Sequence, residues 1–271
     1  MVRSLLVVSI VTGLALPAAA QPRGAESGWN VTVGGGMLLA PNYAGDNSYR
    51  LSAIPNLQLS YGDRFFASVQ EGIGYRFVND GAVKAGPIMR FTFPRDENGK
   101  QIFAVTGHRT NDLRGLGDVD LSVELGGFVE YEIAPVTLRA EVRQAASGHK
   151  GFTADLSAQW SHRTPALGSF AIVSFGPRVR LVDATYNSAY FGVTGAQSRA
   201  SGLPTYSAGG GLYSFGAGAT VVYPLPSDRR WAVVAVGGYD RLTGDAGASP
   251  LVQQRGSQNQ ALFGLFVSRA F

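Results

Sequence analysis

The sequence predicts an all-β protein: a closed antiparallel transmembrane β-barrel of about twelve strands, ten as the alternative, with short periplasmic turns and long external loops. Three observations predict it. The chain opens on an export leader, apolar and polar residues alternate in segment after segment, and short connections alternate with long ones. Composition points the same way. Glycine supplies 36 of the 271 residues, charged residues make up only 15%, and cysteine is absent. Soluble domains usually carry roughly 7% Gly and about a quarter charged residues. The glycines have no three-residue period, which excludes collagen. Hydrophobic content of 45% with a net charge of +4 excludes ordinary disorder. Without cysteine there is no disulfide scaffold, cysteine metal site or thiol nucleophile. The 23 basic residues are scattered and form no stripe of the kind nucleic acid requires, so no nucleic-acid partner is expected.

At the N-terminus, Arg3 precedes an apolar run from Leu5 to Leu16 and then Pro17-Ala18-Ala19-Ala20. A positive start, an apolar stretch and an A-x-A site form a secretory signal peptide, expected over residues 1–20 with cleavage after Ala20. The run is shorter than the roughly 20 residues of a spanning helix, and no Cys follows it for lipid attachment. The mature barrel is expected over residues 21–271. No other stretch is long and apolar enough for a membrane helix, so a membrane location requires strands.

In chain order the expected strands are Trp29–Ala40, Arg50–Ser60, Arg64–Val78, Ala82–Phe93, Gln101–Gly107, Asp118–Glu132, Pro135–Ala146, Gly151–His162, Gly168–Val182, Ser207–Tyr223, Arg230–Leu242 and Gln258–Phe271. The fifth alternates weakly and reads equally as loop. The clearest three are consecutive. Val119, Leu121, Val123, Leu125, Val129 and Tyr131 oppose Asp120, Ser122, Glu124, Glu130 and Glu132, with Phe128 as the exception. Val136, Leu138, Ala140 and Val142 then oppose Thr137, Arg139, Glu141 and Arg143. Phe152, Ala154, Leu156, Ala158 and Trp160 oppose Thr153, Asp155, Ser157, Gln159 and Ser161. The connections 61–63, 94–100, 133–134, 163–167 and 224–229 are short. The alternate set, 41–49, 108–117, 147–150, 183–206 and 243–257, is mostly longer, with 79–81 as its short member. This asymmetry separates periplasmic turns from external loops.

Alternation alone also fits a soluble barrel or sandwich. Three features favour the membrane. The acidic face of Glu124 and Glu130 precedes the basic face of Arg139 and Arg143, as in pairs lining a narrow lumen. Aromatics such as Trp29, Tyr61, Tyr131, Trp231 and Tyr239 recur near strand ends, as interfacial girdles do. The chain closes on a strand with Ala261, Phe263, Leu265, Val267 and Phe271 on one face, and Phe271 reads as the assembly signal of such barrels. Arg269 departs from the apolar residue usual there and can snorkel. The glycine runs Gly34–Gly36 and Gly209–Gly211 are read as barrel curvature, since no Lys-Ser/Thr or helix start follows either.

Catalytic, cofactor and metal residues are not expected. His108, His149 and His162 lack metal-ligand spacing. Ser147-Gly148-His149 raises a Ser/His reading, because twelve-stranded outer-membrane phospholipases exist, but the pair flanks a turn glycine with no evident supporting Asn or Asp. His108, Asp112 and Asp118 give no distinctive protease arrangement. Lys84, Arg90, Glu124, Glu130, Arg139, Glu141, Arg143, Arg178 and Arg180 are expected to line the lumen, either as a selectivity filter or, favoured here, as a salt-bridged plug.

The loops carry a resemblance. They read Pro41-Asn42-Tyr43-Ala44-Gly45-Asp46, Leu113-Arg114-Gly115-Leu116-Gly117-Asp118, Gly148-His149-Lys150-Gly151, Tyr190-Phe191-Gly192-Val193-Thr194 with Ser201-Gly202-Leu203, and Leu242-Thr243-Gly244-Asp245-Ala246 with Ser249-Pro250. Together, and in order along the mature chain, these resemble the MipA/OmpV family of outer-membrane proteins. The resemblance implies a Gram-negative outer-membrane barrel in contact with lipid and without a known catalytic site. One member is described as a scaffold joining a lytic transglycosylase to a murein synthase, others as surface antigens or adhesins. Tyr43, Tyr190, Phe191, Gly192, Asp245 and Pro250 match family positions and are candidates for partner contact or for packing over the barrel mouth. A scaffold, a narrow pore for small solutes and an adhesin remain open as functions at this point.

Overall fold

The computed structural model describes residues 28–100, 103–107 and 110–271. The leader assignment over residues 1–20 and His108 lie outside the described residues. Fourteen strands form one sheet: β1 Trp29–Pro41, β2 Tyr49–Tyr61, β3 Phe65–Ser68, β4 Gly72–Tyr75, β5 Val78–Asp80, β6 Val83–Thr92, β7 Ala104–Thr106, β8 Ser122–Ile133, β9 Val136–Ala145, β10 Phe152–Ala166, β11 Ser169–Val182, β12 Gly211–Pro224, β13 Trp231–Leu242 and β14 Asn259–Ala270. Neighbours are antiparallel. The sheet closes because β1 pairs both with β14, from Thr32↔Ala270 to Leu39↔Phe263, and with β2, from Trp29↔Tyr61 to Pro41↔Tyr49. The closed ring contains twelve strands, with β5 and β7 off the circuit. Closure removes the unpaired edge that would otherwise be left in lipid.

The strand count matches expectation through two compensating differences. The segment Arg64–Val78 is not one strand. It folds back at residues 69–71 into the hairpin β3–β4, and Gly72 leaves the turn at φ +81°, where a Cβ would stand 2.2 Å from the Met89 carbonyl oxygen. The segment Gln101–Gly107 is not a ring member. Its described strand, β7, only adds to the outer end of β2, at Leu51↔Thr106 and Ser52↔Ala104. It covers the wall above the short hairpin.

Outward-facing positions are apolar around the ring: Val33 and Leu39 on β1, Leu125 and Val129 on β8, Phe175 on β11, Phe263, Leu265 and Val267 on β14, all exposed. This is the surface of a lipid-embedded barrel. Trp29, Tyr61, Tyr131 and Trp231 stand exposed at its periplasmic rim, with Trp29 and Tyr61 rings 5.0 Å apart. Arg269 has a physical partner there. Its guanidinium lies 4.8 Å from the Phe271 ring centre and 5.6 Å from that of Trp231. Among the described residues no helix is long and apolar enough to cross a membrane.

The interior is not polar throughout. Leu38, Ile54, Ile172, Val222, Val234, Val236, Leu262 and Phe266 form a buried apolar cluster inside β1, β2 and β11–β14. In that sector both faces of a strand are apolar, one toward lipid and one toward a packed core. β1 lies tightly on β14 here: a Cβ on Gly34 or Gly36 would stand 2.2 Å from a β14 carbonyl oxygen, so the expected curvature role of this run takes the form of close strand approach. Phe128, the exception in its strand, points inward because it fills space beside Phe66 (5.6 Å) and under the Arg139 guanidinium (4.6 Å).

Candidate functional site

Most of the charges lie in the opposite sector of the lumen, on β6 and β8–β10, and continue onto Arg178 and Arg180 of β11 and Asp240 of β13. Antiparallel register brings them together: Arg90↔Glu124, Lys84↔Glu130, Glu130↔Arg139 and Asp155↔Arg180 are cross-strand pairs. Residues two apart on one strand share the lumen face, so Arg139, Glu141 and Arg143 line up along β9. Glu141 is the hub. It accepts from Arg90 Nε and from Arg90 Nη2 (2.9 Å), from Arg139 Nε (3.1 Å) and Nη2 (2.8 Å), and from Arg143 Nη1. Arg143 also donates to Glu124 (2.7 Å) and Asp155 (2.7 Å), and Arg139 to Glu130. Arg180 donates to Asp155 at 2.7 Å, Arg178 holds Asp240 through two hydrogen bonds of 2.8 and 2.5 Å, and Lys84 pairs with Glu132. Glu124, Glu130, Arg139, Arg143, Arg178 and Arg180 all take part in these pairs. Asp155 and Asp240, which complete the pairs, were not singled out from the sequence. Asp155 was legible, because it alternates with Leu156 on a clean strand. Asp240 was not, because it sits beside Arg241 with glycines before it.

A cap closes the external mouth. The long connections fold into α1 Ala184–Phe191, α2 Gly195–Ser201, α3 Gly244–Ala248 and α4 Pro250–Arg255 rather than staying as extended loops. Asp183 caps α1 by accepting from Tyr186 N (2.8 Å), and Thr194 with Gln197 forms a capping box on α2. Beneath lie two apolar clusters. One holds Tyr186, Phe191, Tyr213, Leu242, Ala246 and Val252, the other Tyr43, Leu113, Leu116, Val193, Leu203 and Leu251. Polar ties bind the pieces: Arg95 donates to the carbonyls of Ala189 (3.2 Å) and Tyr190 at the end of α1, Arg255 to that of Asp112 (2.6 Å), and Gln260 to that of Asp46 (3.1 Å). Burial in the cap lowers the Arg95 pKa and raises those of Tyr43 and Tyr190. Burial likewise holds the Asp46 carboxyl above its usual range, against hydrogen bonds from Ser48 N (2.8 Å) and Asn42 (2.9 Å).

The six loop candidates all sit in this cap. Tyr43 and Phe191 are buried in its clusters, the Tyr190 ring meets that of Tyr186 at 4.9 Å with a tilt of 48°, and Gly192 terminates α1. Asp245 accepts from Gly209 N, and Pro250 opens α4. The Ser/His pair raised by the sequence does not form. Ser147 Oγ accepts from Val123 N (3.0 Å) and donates to the Leu121 carbonyl (2.9 Å). His149 is buried: its Nδ1 accepts from Gly151 N (3.0 Å), which leaves Nε2–H to face Glu124 at 3.2 Å. Among the described residues no group of His, Asp or Glu could hold a metal ion.

Between cap and charged sector lies a cavity of about 210 Å³, walled by Arg50, Arg178, Arg180, Tyr43, Tyr213 and Leu242 among others.

The family model for MltA-interacting protein MipA matches residues 33–271. No curated protein matches the chain. Among solved structures, the COG4313 outer membrane channel from Pseudomonas putida F1 aligns over 93% of this chain and 99% of its own, at 12% identity and TM-score 0.40. OmpT of Vibrio cholerae aligns over 90% and 96%, at 10% identity and TM-score 0.34. CdiB from Acinetobacter baumannii aligns over 92% and 61%, at 8% identity and TM-score 0.32.

Proposed function

Because the chain belongs to the MltA-interacting protein MipA family, we propose that this outer-membrane barrel is a non-catalytic scaffold that holds a lytic transglycosylase and a murein synthase at the membrane. The observation that carries the reading is the mutual pairing of the lumen charges. Glu141 alone engages three arginines, and the plug it anchors shares the interior with an apolar core. A barrel filled in this way is a rigid platform. Catalysis would require an uncommitted nucleophile and base. Ser147 and His149, the pair closest to that chemistry in sequence, are each committed to backbone and neighbouring side chains. A periplasmic partner would meet the short turns at residues 62–64, 134–135, 167–168 and 225–230, where Leu167 is exposed at the tip of its hairpin.

The test is crosslinking in intact envelopes followed by purification of the barrel. Recovery of a murein hydrolase or synthase is expected; recovery of neither, with the barrel itself recovered in quantity, overturns the proposal. One observation favours a second reading, a narrow solute pore: the cavity under the cap carries more basic than acidic side chains. Planar-bilayer recordings without conductance would remove it.

A further inference from the structure

Seven basic side chains against five acidic ones line the cavity beneath the cap. Most are committed to each other, as the ion pairs above require. Arg178 is not fully committed. Its Nε and Nη2 hold Asp240, while Nη1 is buried without a hydrogen-bond partner among the described residues. Arg178 is 8% exposed and lines the cavity from β11. Tyr43 repeats the situation from the cap side. It is 7% exposed, lines the same cavity, and its hydroxyl likewise has no partner among the described residues. Buried donors are normally satisfied, and each one that is not has to be accounted for.

Both groups donate. Nη1 of a guanidinium carries two N–H bonds and no acceptor. The basic surplus of the lining and these two donors select the same ligand property, a negatively charged oxygen. The rest of the wall selects a second property. Leu38, Ala40, Leu113, Leu242 and the ring of Tyr213 present apolar surface to the same space. A site with a few placed polar groups in an otherwise apolar, concave wall is the usual form of a small-molecule pocket. The volume of about 210 Å³ suits a small solute rather than a polymer or a lipid.

We propose that the cavity between cap and lumen binds a small organic anion, its carboxylate or phosphate oxygen taken by Arg178 Nη1 and the Tyr43 hydroxyl and its apolar body lying against the Leu242 and Tyr213 wall. The site is separate from any periplasmic docking surface, since it lies under the external cap. It therefore stands or falls independently of the scaffold role.

The experiment uses the full barrel, folded in detergent micelles, with isothermal titration calorimetry as readout. Benzoate is the probe with both properties, inorganic phosphate the probe with charge alone, and benzamide the uncharged counterpart of benzoate. Benzoate is expected to bind most tightly and benzamide at least about tenfold more weakly, the usual worth of a charge-assisted hydrogen bond. The double variant R178Q/D240N removes the guanidinium without stranding its carboxylate partner, and should weaken benzoate about tenfold or more. Y43F removes only the hydroxyl, at a position whose ring packing it preserves, and should weaken benzoate by a factor of about three to ten. If the double variant does not fold, Y43F decides. Three outcomes overturn the proposal: wild-type protein that gives no heat with benzoate or phosphate, benzamide that binds as tightly as benzoate, and folded variants that bind benzoate like the wild type.

Discussion

Glu141 offers the sharpest test of the lumen plug. Its carboxylate is 2% exposed and serves Arg90, Arg139 and Arg143. In Glu141→Gln the charge disappears while shape is kept. Arg139 retains Glu130, and Arg143 retains Glu124 and Asp155, but Arg90 keeps only the Gln70 carbonyl (2.9 Å). Arg90 then loses the carboxylate that pairs with it directly, and the amide N–H groups of Gln point at guanidinium donors. Removing one partner of a buried pair costs about 3–5 kcal/mol, because the remaining charge is stranded. Glu130→Gln is the control. Glu130 is more exposed, at 14%, and Arg139 keeps Glu141 when it is lost, so a cost of about 1 kcal/mol is expected. The assay is reversible urea unfolding of the barrel in lipid vesicles, followed by tryptophan fluorescence, with midpoint and slope compared across variants. Adding Arg90→Met to Glu141→Gln should restore much of the loss, since it removes the stranded cation. The reasoning is refuted if Glu141→Gln and Glu130→Gln agree within about 1 kcal/mol, or if Arg90→Met worsens the first variant.

Three further outcomes are expected. Phe191→Ala should loosen the cap by about 3–5 kcal/mol, the range for a buried aromatic; limited proteolysis should then cut the external connections while the barrel keeps its heat-modifiable gel mobility. Gly36→Val should block assembly, because its Cβ would stand 2.2 Å from the Leu265 carbonyl oxygen, whereas Gly35→Ala, whose Cβ meets only the Ile54 oxygen at 3.7 Å, should assemble normally; the same gel shift separates the two. Asp46, whose carboxyl burial holds above the usual range, contributes stability fully below its unfolded pKa of about 4 and loses it as pH rises through the higher folded value. Hydrogen exchange in residues 42–48, corrected for intrinsic rate, should therefore speed up across that window in the wild type and stay flat in Asp46→Asn.

Much of the barrel was legible because the two-residue period survives wherever one face meets lipid and the other meets charge. Strands β8, β9 and β10 satisfy that condition, and their register follows. The period fails where the interior is itself apolar: on β14, Leu262 and Phe266 face inward while Phe263 and Val267 face outward, so hydrophobicity no longer distinguishes the sides. The hairpin turn at residues 69–71 was hidden for another reason. Gln70-Glu71-Gly72 is a readable turn, yet apolar residues on both sides continue the strand pattern through it. At the site, cross-strand partners could be inferred from neighbouring strands, as for Glu130 and Arg139. Arg178 and Asp240 could not, because the bond between them passes along the wall over the intervening strand β12 at Gly216, and depends on Gly216 and Gly238 leaving room beside the two side chains. The cap helices were invisible, since each is eight residues or shorter and is held by tertiary packing rather than by its own periodicity.

The cap has an immunological consequence. Tyr43, Leu113, Leu203 and Leu251 come from four different connections and meet in one cluster. The outer face above them is therefore assembled from chain segments that are adjacent only once the barrel has closed. An antibody raised against the native surface would read a discontinuous epitope: it would bind whole cells and refolded protein, and fail on boiled samples and on peptides copied from any single loop.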